Sequence, residues 1–120
     1  MTTDQDKVRN LLAEQPFMVI AVVLPDGNPW ATPVKIQMQD GRCFEWDSRV
    51  TTEHSKAIAA NPAVAASIFD TRPNGQVGIY ISGTATLVEE KTGGMGRYRI
   101  TAERLWLNDD SFIKREVSLD

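Results

Sequence analysis

Gly27-Asn28-Pro29-Trp30-Ala31-Thr32-Pro33-Val34-Lys35, running on through Asp40-Gly41 and Cys43-Phe44-Glu45-Trp46 to Thr51-Thr52-Glu53-His54-Ser55-Lys56, decides how this chain folds. Residues 30–38 alternate with the period of a strand, Trp30, Thr32, Val34, Ile36 and Met38 on one face and Ala31, Lys35 and Gln37 on the other. Pro33 has no N–H to give to a ladder, so this strand belongs at a sheet edge or a bulge, where backbone is open to something other than another strand. Asp40-Gly41 is a hairpin signal that joins it to a strand at 43–46. A polar loop at 47–50 then leads into a short helix at 53–60, closed by Asn61-Pro62.

Working outward, Thr3-Asp4-Gln5-Asp6 has the form of a capping box and opens a helix over 4–14 that stops before Pro16. Residues 17–24 are apolar and β-branched and run into the turn Pro25-Asp26-Gly27-Asn28. Downstream, 63–69 reads as a buried strand, 70–75 as a turn and 76–88 as the longest strand, with a bulge or bend at Gly83. Residues 89–96 are polar with three glycines and read as an exposed, mobile loop. Short strands at 97–101 and 104–107 flank a Thr101-Ala102-Glu103 turn. The tail after Asn108 reads equally as a last strand or as a segment packed on a partner. The fold expected is mainly β (α+β): six or seven short antiparallel strands closed into a barrel, with two short helices, as one domain over residues 1–120.

The 120 residues are 42% hydrophobic and 24% charged, ordinary for a globular protein, and the net charge of −3 excludes the basic surface that nucleic acid requires. The longest apolar run, 17–24, is strand-sized and far short of a membrane span. The N-terminus is polar and acidic, unlike a signal peptide, which leads us to expect a cytoplasmic protein. The single cysteine, Cys43, excludes an internal disulfide and any multi-cysteine metal site.

Side-chain chemistry is scarce. His54 is the only histidine, no serine or cysteine occupies a Gly-x-Ser-x-Gly elbow, and Gly93-Gly94-Met95-Gly96 lacks the strand-to-helix context of a nucleotide-binding loop. Glu45 and Asp47 share a strand face and read as solvated. Any reaction therefore falls to a cofactor. The turn Thr51–Lys56 gathers hydroxyls, backbone N–H groups, an imidazole and an ammonium at the positive end of a helix, which suits an anion such as phosphate. Thr51 or Thr52 serves equally as a plain N-cap, the commoner use of such residues. Lys35, a charged residue in mid-strand, either converges on the same anion or faces solvent.

The ordered set Gly27–Val34, Phe44-Glu45-Trp46-Asp47-Ser48, His54-Ser55-Lys56, Asn61-Pro62, Val64 and 76–85 resembles the pyridoxamine 5′-phosphate oxidase-like, FMN-binding split-barrel family, over about three-fifths of the chain. The resemblance implies a split β-barrel, FMN as cofactor and a homodimer with the cofactor at the subunit interface. It places the flavin ring along Thr32, Pro33 and Val34 and the phosphate at Lys35, His54, Ser55 and Lys56. Trp46 and Ser48 would flank the ribityl chain and ring, and Gln76 would approach from the next hairpin. Three positions depart from the family pattern: Trp30 stands where many members carry an arginine, Ser55 stands where another arginine precedes the lysine, and no histidine follows His54 to build an Arg-x-His substrate motif. The resemblance thus implies an FMN-dependent oxidoreductase other than pyridoxamine phosphate oxidase proper, with no catalytic side chain assigned. The alternatives are a non-enzymatic, flavin-sequestering or stress-associated module, or a split barrel that uses deazaflavin F420 or haem.

Overall fold

The computed structural model describes residues 2–119. Its first helix, α1 (Asp4–Glu14), begins at the expected capping box: Thr3 Oγ1 accepts from Asp6 N–H, and the Asp6 carboxylate accepts from Thr3 N–H. Val8 and Leu11, one helical turn apart, are its buried face. Eight strands follow: β1 (Phe17–Val23), β2 (Pro29–Lys35), β3 (Met38–Asp40), β4 (Cys43–Arg49), β5 (Ala63–Phe69), β6 (Gly78–Glu90), β7 (Met95–Asn108) and β8 (Arg115–Glu116). Helix α2 (Glu53–Ala60) lies between β4 and β5. All strand pairings are antiparallel, in the order β2-β1-β5-β6-β7-β4-β3, with β8 on β7.

The segment expected as one strand at 30–38 is two. Its first half pairs with β1 and its second with β4, the two ends of the main path. Between them Ile36 N–H donates to Pro16 O at 2.7 Å and Gln37 N–H donates to Glu45 O at 2.8 Å, so one chain stretch changes partners and brings the sheet edges together. β2 and β4 approach each other without a ladder between them. The barrel is therefore split along this seam, and Pro33 lies on the edge strand, where it costs no hydrogen bond. The interior is filled by alternate residues of the long strands, among them Met18, Ile20, Phe44, Trp46, Ile79, Ile100 and Leu107.

Three expectations fail downstream. Residues 101–103 form no turn: β7 runs unbroken from Met95 to Asn108, with a bulge that opposes the Ser82–Gly83 step. Residues 89–96 form no loose loop; β6 continues to Glu90, a single 3₁₀ turn at Thr92–Gly94 reverses the chain, and β7 starts at Met95. Glu45 and Asp47 are not solvated carboxylates. Arg97 bonds to both, Arg99 to Glu45 and Lys91 to Asp47 across the β4–β7 pairing, and Glu45 is buried beneath them.

Candidate functional site

Strand β4 extends three residues beyond the sequence reading and ends where α2 begins, which sets the local chemistry. Thr52 is the N-cap, its hydroxyl oxygen accepting from Ser55 N–H at 3.1 Å while its hydrogen goes to Ser55 Oγ at 2.7 Å. Ser55 Oγ in turn donates to Arg49 O at 2.8 Å. His54 Nε2 lies 2.9 Å from Ser48 Oγ and 3.3 Å from Thr52 Oγ1. His54 and Ser55 are both buried, and burial pushes the imidazole below its ordinary range, so the ring is neutral at physiological pH. Of the four expected anion contacts, His54 through Nε2 and Ser55 through Oγ thus tie α2 to β4. Lys56 and Lys35 are exposed and have no side-chain partner among the described residues.

The free edge of β2 supplies the second component. Leu24 N–H donates to Asn28 O and Ile36 N–H to Pro16 O, so even-numbered residues of this strand aim their backbone at β1. Odd-numbered residues aim theirs outward, as Gln37 does toward Glu45. The open peptide groups along the seam are consequently those of Ala31, Pro33 and Lys35, whereas Thr32 and Val34 bond to Ile20 and Met18. Val34 is buried and Thr32 half-buried. α2 packs against both β1 and β2.

Trp46 and Gln76 do not join this group. Trp46 is wholly buried, its ring stacked on Tyr98 at 5.6 Å between centroids and 18° between planes, and its Nε1 has no hydrogen-bond partner. It backs Tyr98, one wall of a cleft of about 700 Å³ between α2 and the far end of β6. That cleft, which sequence reasoning missed, is lined by Ser55 and Lys56 together with Ile58, Ala59, Pro62, Leu87 and others. Its only sequence signal is the pair Ala59-Ala60 at the exposed end of α2. Gln76 sits before β6, at the opposite end of that strand, about 30 Å from Ala85 at ~3.3 Å per residue.

On its surface the sheet shows an apolar outer face. Phe17, Val23, Phe69 and Tyr80 are all exposed there, around a centre of Ala21, Ala65, Ser67 and Ser82. Among the described residues no helix is long and apolar enough to cross a membrane.

The family description "Pyridoxamine 5′-phosphate oxidase" matches residues 4–117. Among solved structures, the chain is similar to a haem-binding protein from Mycobacterium smegmatis, with TM-score 0.83 and 12% identity over 98% of this chain and 59% of that one. It is similar to a protein related to general stress protein 26, of the pyridoxinephosphate oxidase family, from Clostridium acetobutylicum, with TM-score 0.80 and 13% identity over 97% and 94% of the two chains. An F420 reductase aligns with TM-score 0.69 and 19% identity over 81% and 94%. At these identities the likeness concerns the fold. None of the curated proteins is similar enough in sequence to count as a relative.

Proposed function

This chain belongs to the pyridoxamine 5′-phosphate oxidase family, and on that premise we propose that it binds FMN and works as a flavin-dependent oxidoreductase other than pyridoxamine phosphate oxidase proper. The observation that carries the reading is the pair of uncommitted lysines, Lys35 and Lys56, beside an open backbone edge and the N-terminus of α2. The first N–H groups of that helix, those of Glu53 and His54, are left for an anion once Thr52 has capped Ser55. Phosphate fits there, held by Lys56 and Lys35. The outward peptide groups of Ala31, Pro33 and Lys35 match the rim of a flavin ring, which pairs as donor and acceptor with backbone. Thr32 and Val34 fix that edge to β1, while Ser48, His54 and Ser55 hold the helix end in place from behind. Trp46 contributes through Tyr98.

When bound, FMN supplies the electron acceptor and donor. The chain's own part is to hold the phosphate, present peptide groups to the ring and exclude water. The positive charge of Lys35, near the seam, favours an anionic reduced ring. The exposed apolar sheet face supports a homodimer that builds each site from both chains, in which Gln76, too distant within one protomer, would reach the site of the second.

Haem fits less well, although one structural relative is a haem-binding protein. An axial imidazole needs a free nitrogen in an open position, and His54, a largely buried residue whose Nε2 bonds to Ser48, leaves only Nδ1.

Titration with FMN and with riboflavin, followed by flavin fluorescence, tests the reading. Lys35→Ala and Lys56→Ala should each weaken FMN about tenfold or more, roughly one charge-assisted hydrogen bond, and leave riboflavin unchanged. Equal losses for both ligands would remove the phosphate assignment. Reduction of the bound flavin by a nicotinamide donor separates an oxidoreductase from a flavin-sequestering module, which would bind as tightly without turnover.

A further inference from the structure

The turn between β7 and β8 carries the two most exposed large apolar side chains among the described residues, Phe112 at 83% and Ile113 at 63%. Phe112 has φ 59°, a left-handed conformation that a bulky residue adopts only at a cost. The polar groups of this turn fold inward. Asp109 accepts from Ser111 N–H at 3.0 Å and Ser111 Oγ at 2.6 Å, Phe112 N–H donates to Asp109 O, and Arg115 bonds to Ser111 Oγ and Ile113 O. A turn tied internally through Asp109, Ser111 and Arg115 thus displays two apolar side chains that its own protomer leaves uncovered. Anchors of interfaces have this form, because little is left to order on binding.

Resting on the homodimer reading above, we propose that Phe112 and Ile113 of one protomer insert into the α2–β6 cleft of a second copy, and that the second copy returns the contact. The register supports this. Asn108 pairs with Gly78, so the turn stands at one end of β6, while the cleft lies beside Thr84 to Leu87, about 20–30 Å along the same strand. Lys114 Nζ lies 5.5 Å from the Tyr80 ring, which puts the turn on the apolar outer face; Thr84 and Thr86 open the cleft onto that face. A two-fold axis through the face near Ser82 sets each turn over the other copy's cleft, as a self-complementary interface requires. The small residues Ala21, Ala65, Ser67 and Ser82 let the two sheets approach there. Ile58, Ala59, Pro62, Ala85 and Leu87 provide an apolar floor, and Glu90 on the cleft rim opposes the charge of Lys114 beside the turn. The inserted residues would complete the wall next to Lys56.

Sedimentation equilibrium of the full chain, with disulfide trapping, tests the proposal. Phe112→Asn with Ile113→Asp removes the apolar anchors and relieves the φ strain, so the fold survives. It should raise the dimer dissociation constant by about tenfold or more. In a Cys43→Ser background, chains carrying Ala59→Cys mixed with chains carrying Ile113→Cys should oxidise to a mixed dimer whose linking peptides are read by mass spectrometry. A dimer that ignores the double substitution and gives no such link overturns this inference and leaves the homodimer standing. A parent chain that is monomeric up to high concentration overturns both.

Discussion

His54 shows at the scale of one residue how a motif can be visible while its use is not. The sequence places an imidazole and two hydroxyls in one helical turn, and phosphate is a fair reading of them. The ring's partner, Ser48, becomes apparent only once β4 is known to run three residues further. Lys35 and Lys56 stand exposed, one of the two outcomes their sequence positions left open, because nothing local competes for either ammonium. Trp46 was not legible, because alternation assigns a face to a side chain but cannot say that Tyr98 covers it. The neutral, buried His54 has a consequence for stability. Its folded pKa lies below the ordinary value near 6.5, since burial disfavours the charged ring. Well above pH 6.5 neither state binds the proton and stability is flat. As pH falls below 6.5 the unfolded chain takes up a proton that the folded chain refuses, so stability declines. His54→Gln, able to keep a bond to Ser48, should flatten that decline between about pH 6.5 and 5 in urea titrations. An unchanged slope would show that some other group is responsible. Trp46→Phe removes a buried donor that has no partner. We expect it to cost within about 1 kcal/mol, because the lost packing is offset by a desolvation penalty removed. Ile100→Ala, in the same core, should cost about 2–5 kcal/mol in the same measurement.

Among the elements, those specified by local chemistry were legible to the residue. Both helices start and stop where their caps and prolines say, and Pro33 and Asp40-Gly41 mark an edge and a hairpin. The failures lie along β7, where the decisive interactions come from distant sequence. Thr101-Ala102-Glu103 looks like a turn because a bulge and a turn both interrupt the period-2 pattern. The structure resolves it as a bulge by giving Ala102 N–H a partner in Arg42 O at 2.8 Å, from the β3–β4 hairpin. Opposite it, Gly83 is required by space: a Cβ there would run into the carbonyl oxygen of Thr101. Backbone cannot yield as a flexible side chain can, so Gly83→Ala should destabilise by about 2–4 kcal/mol in chemical denaturation. Gly93, at φ 73°, has nothing within 4 Å of its would-be Cβ. Gly93→Asn, a residue that tolerates the left-handed region, should therefore cost under about 1 kcal/mol. If the two substitutions cost the same, the bulge is not held by the Gly83–Thr101 approach.

Across the whole molecule, paired carboxylates govern behaviour in acid. The Arg97 and Arg99 guanidiniums hold Glu45 and Asp47 below the usual carboxylate range, and Arg72 does the same for Asp70. Asp109 is held lowest, chiefly by Arg115 and then by Lys7. Lys7 lies on α1, and Arg115 also bonds to Asp4 of that helix. This clasp joins the first helix to the last strand. No pattern in the sequence foretold it, because its members are more than a hundred residues apart and each reads as a solvated surface charge. Carboxylates with depressed pKa contribute stability that is fully present above their unfolded values near 4 and is lost as pH falls through the folded ones. The folded chain should accordingly be insensitive to these groups from pH 5 to 8 and weaken steeply below about pH 4. Asp109→Asn separates the clasp from the other pairs. At pH 7 it should unfold at a lower temperature than the parent, since Lys7 and Arg115 lose their shared anion. As pH is lowered from 4 toward 2, Asp109 of the unfolded parent takes up a proton that the folded chain, its carboxylate held far lower, still refuses, so the parent loses this stability and the two melting curves should approach each other. A gap that stayed constant down to pH 2 would mean that Asp109 acts through its hydrogen bonds to Ser111 and not through its charge, and that the clasp is a turn-builder first.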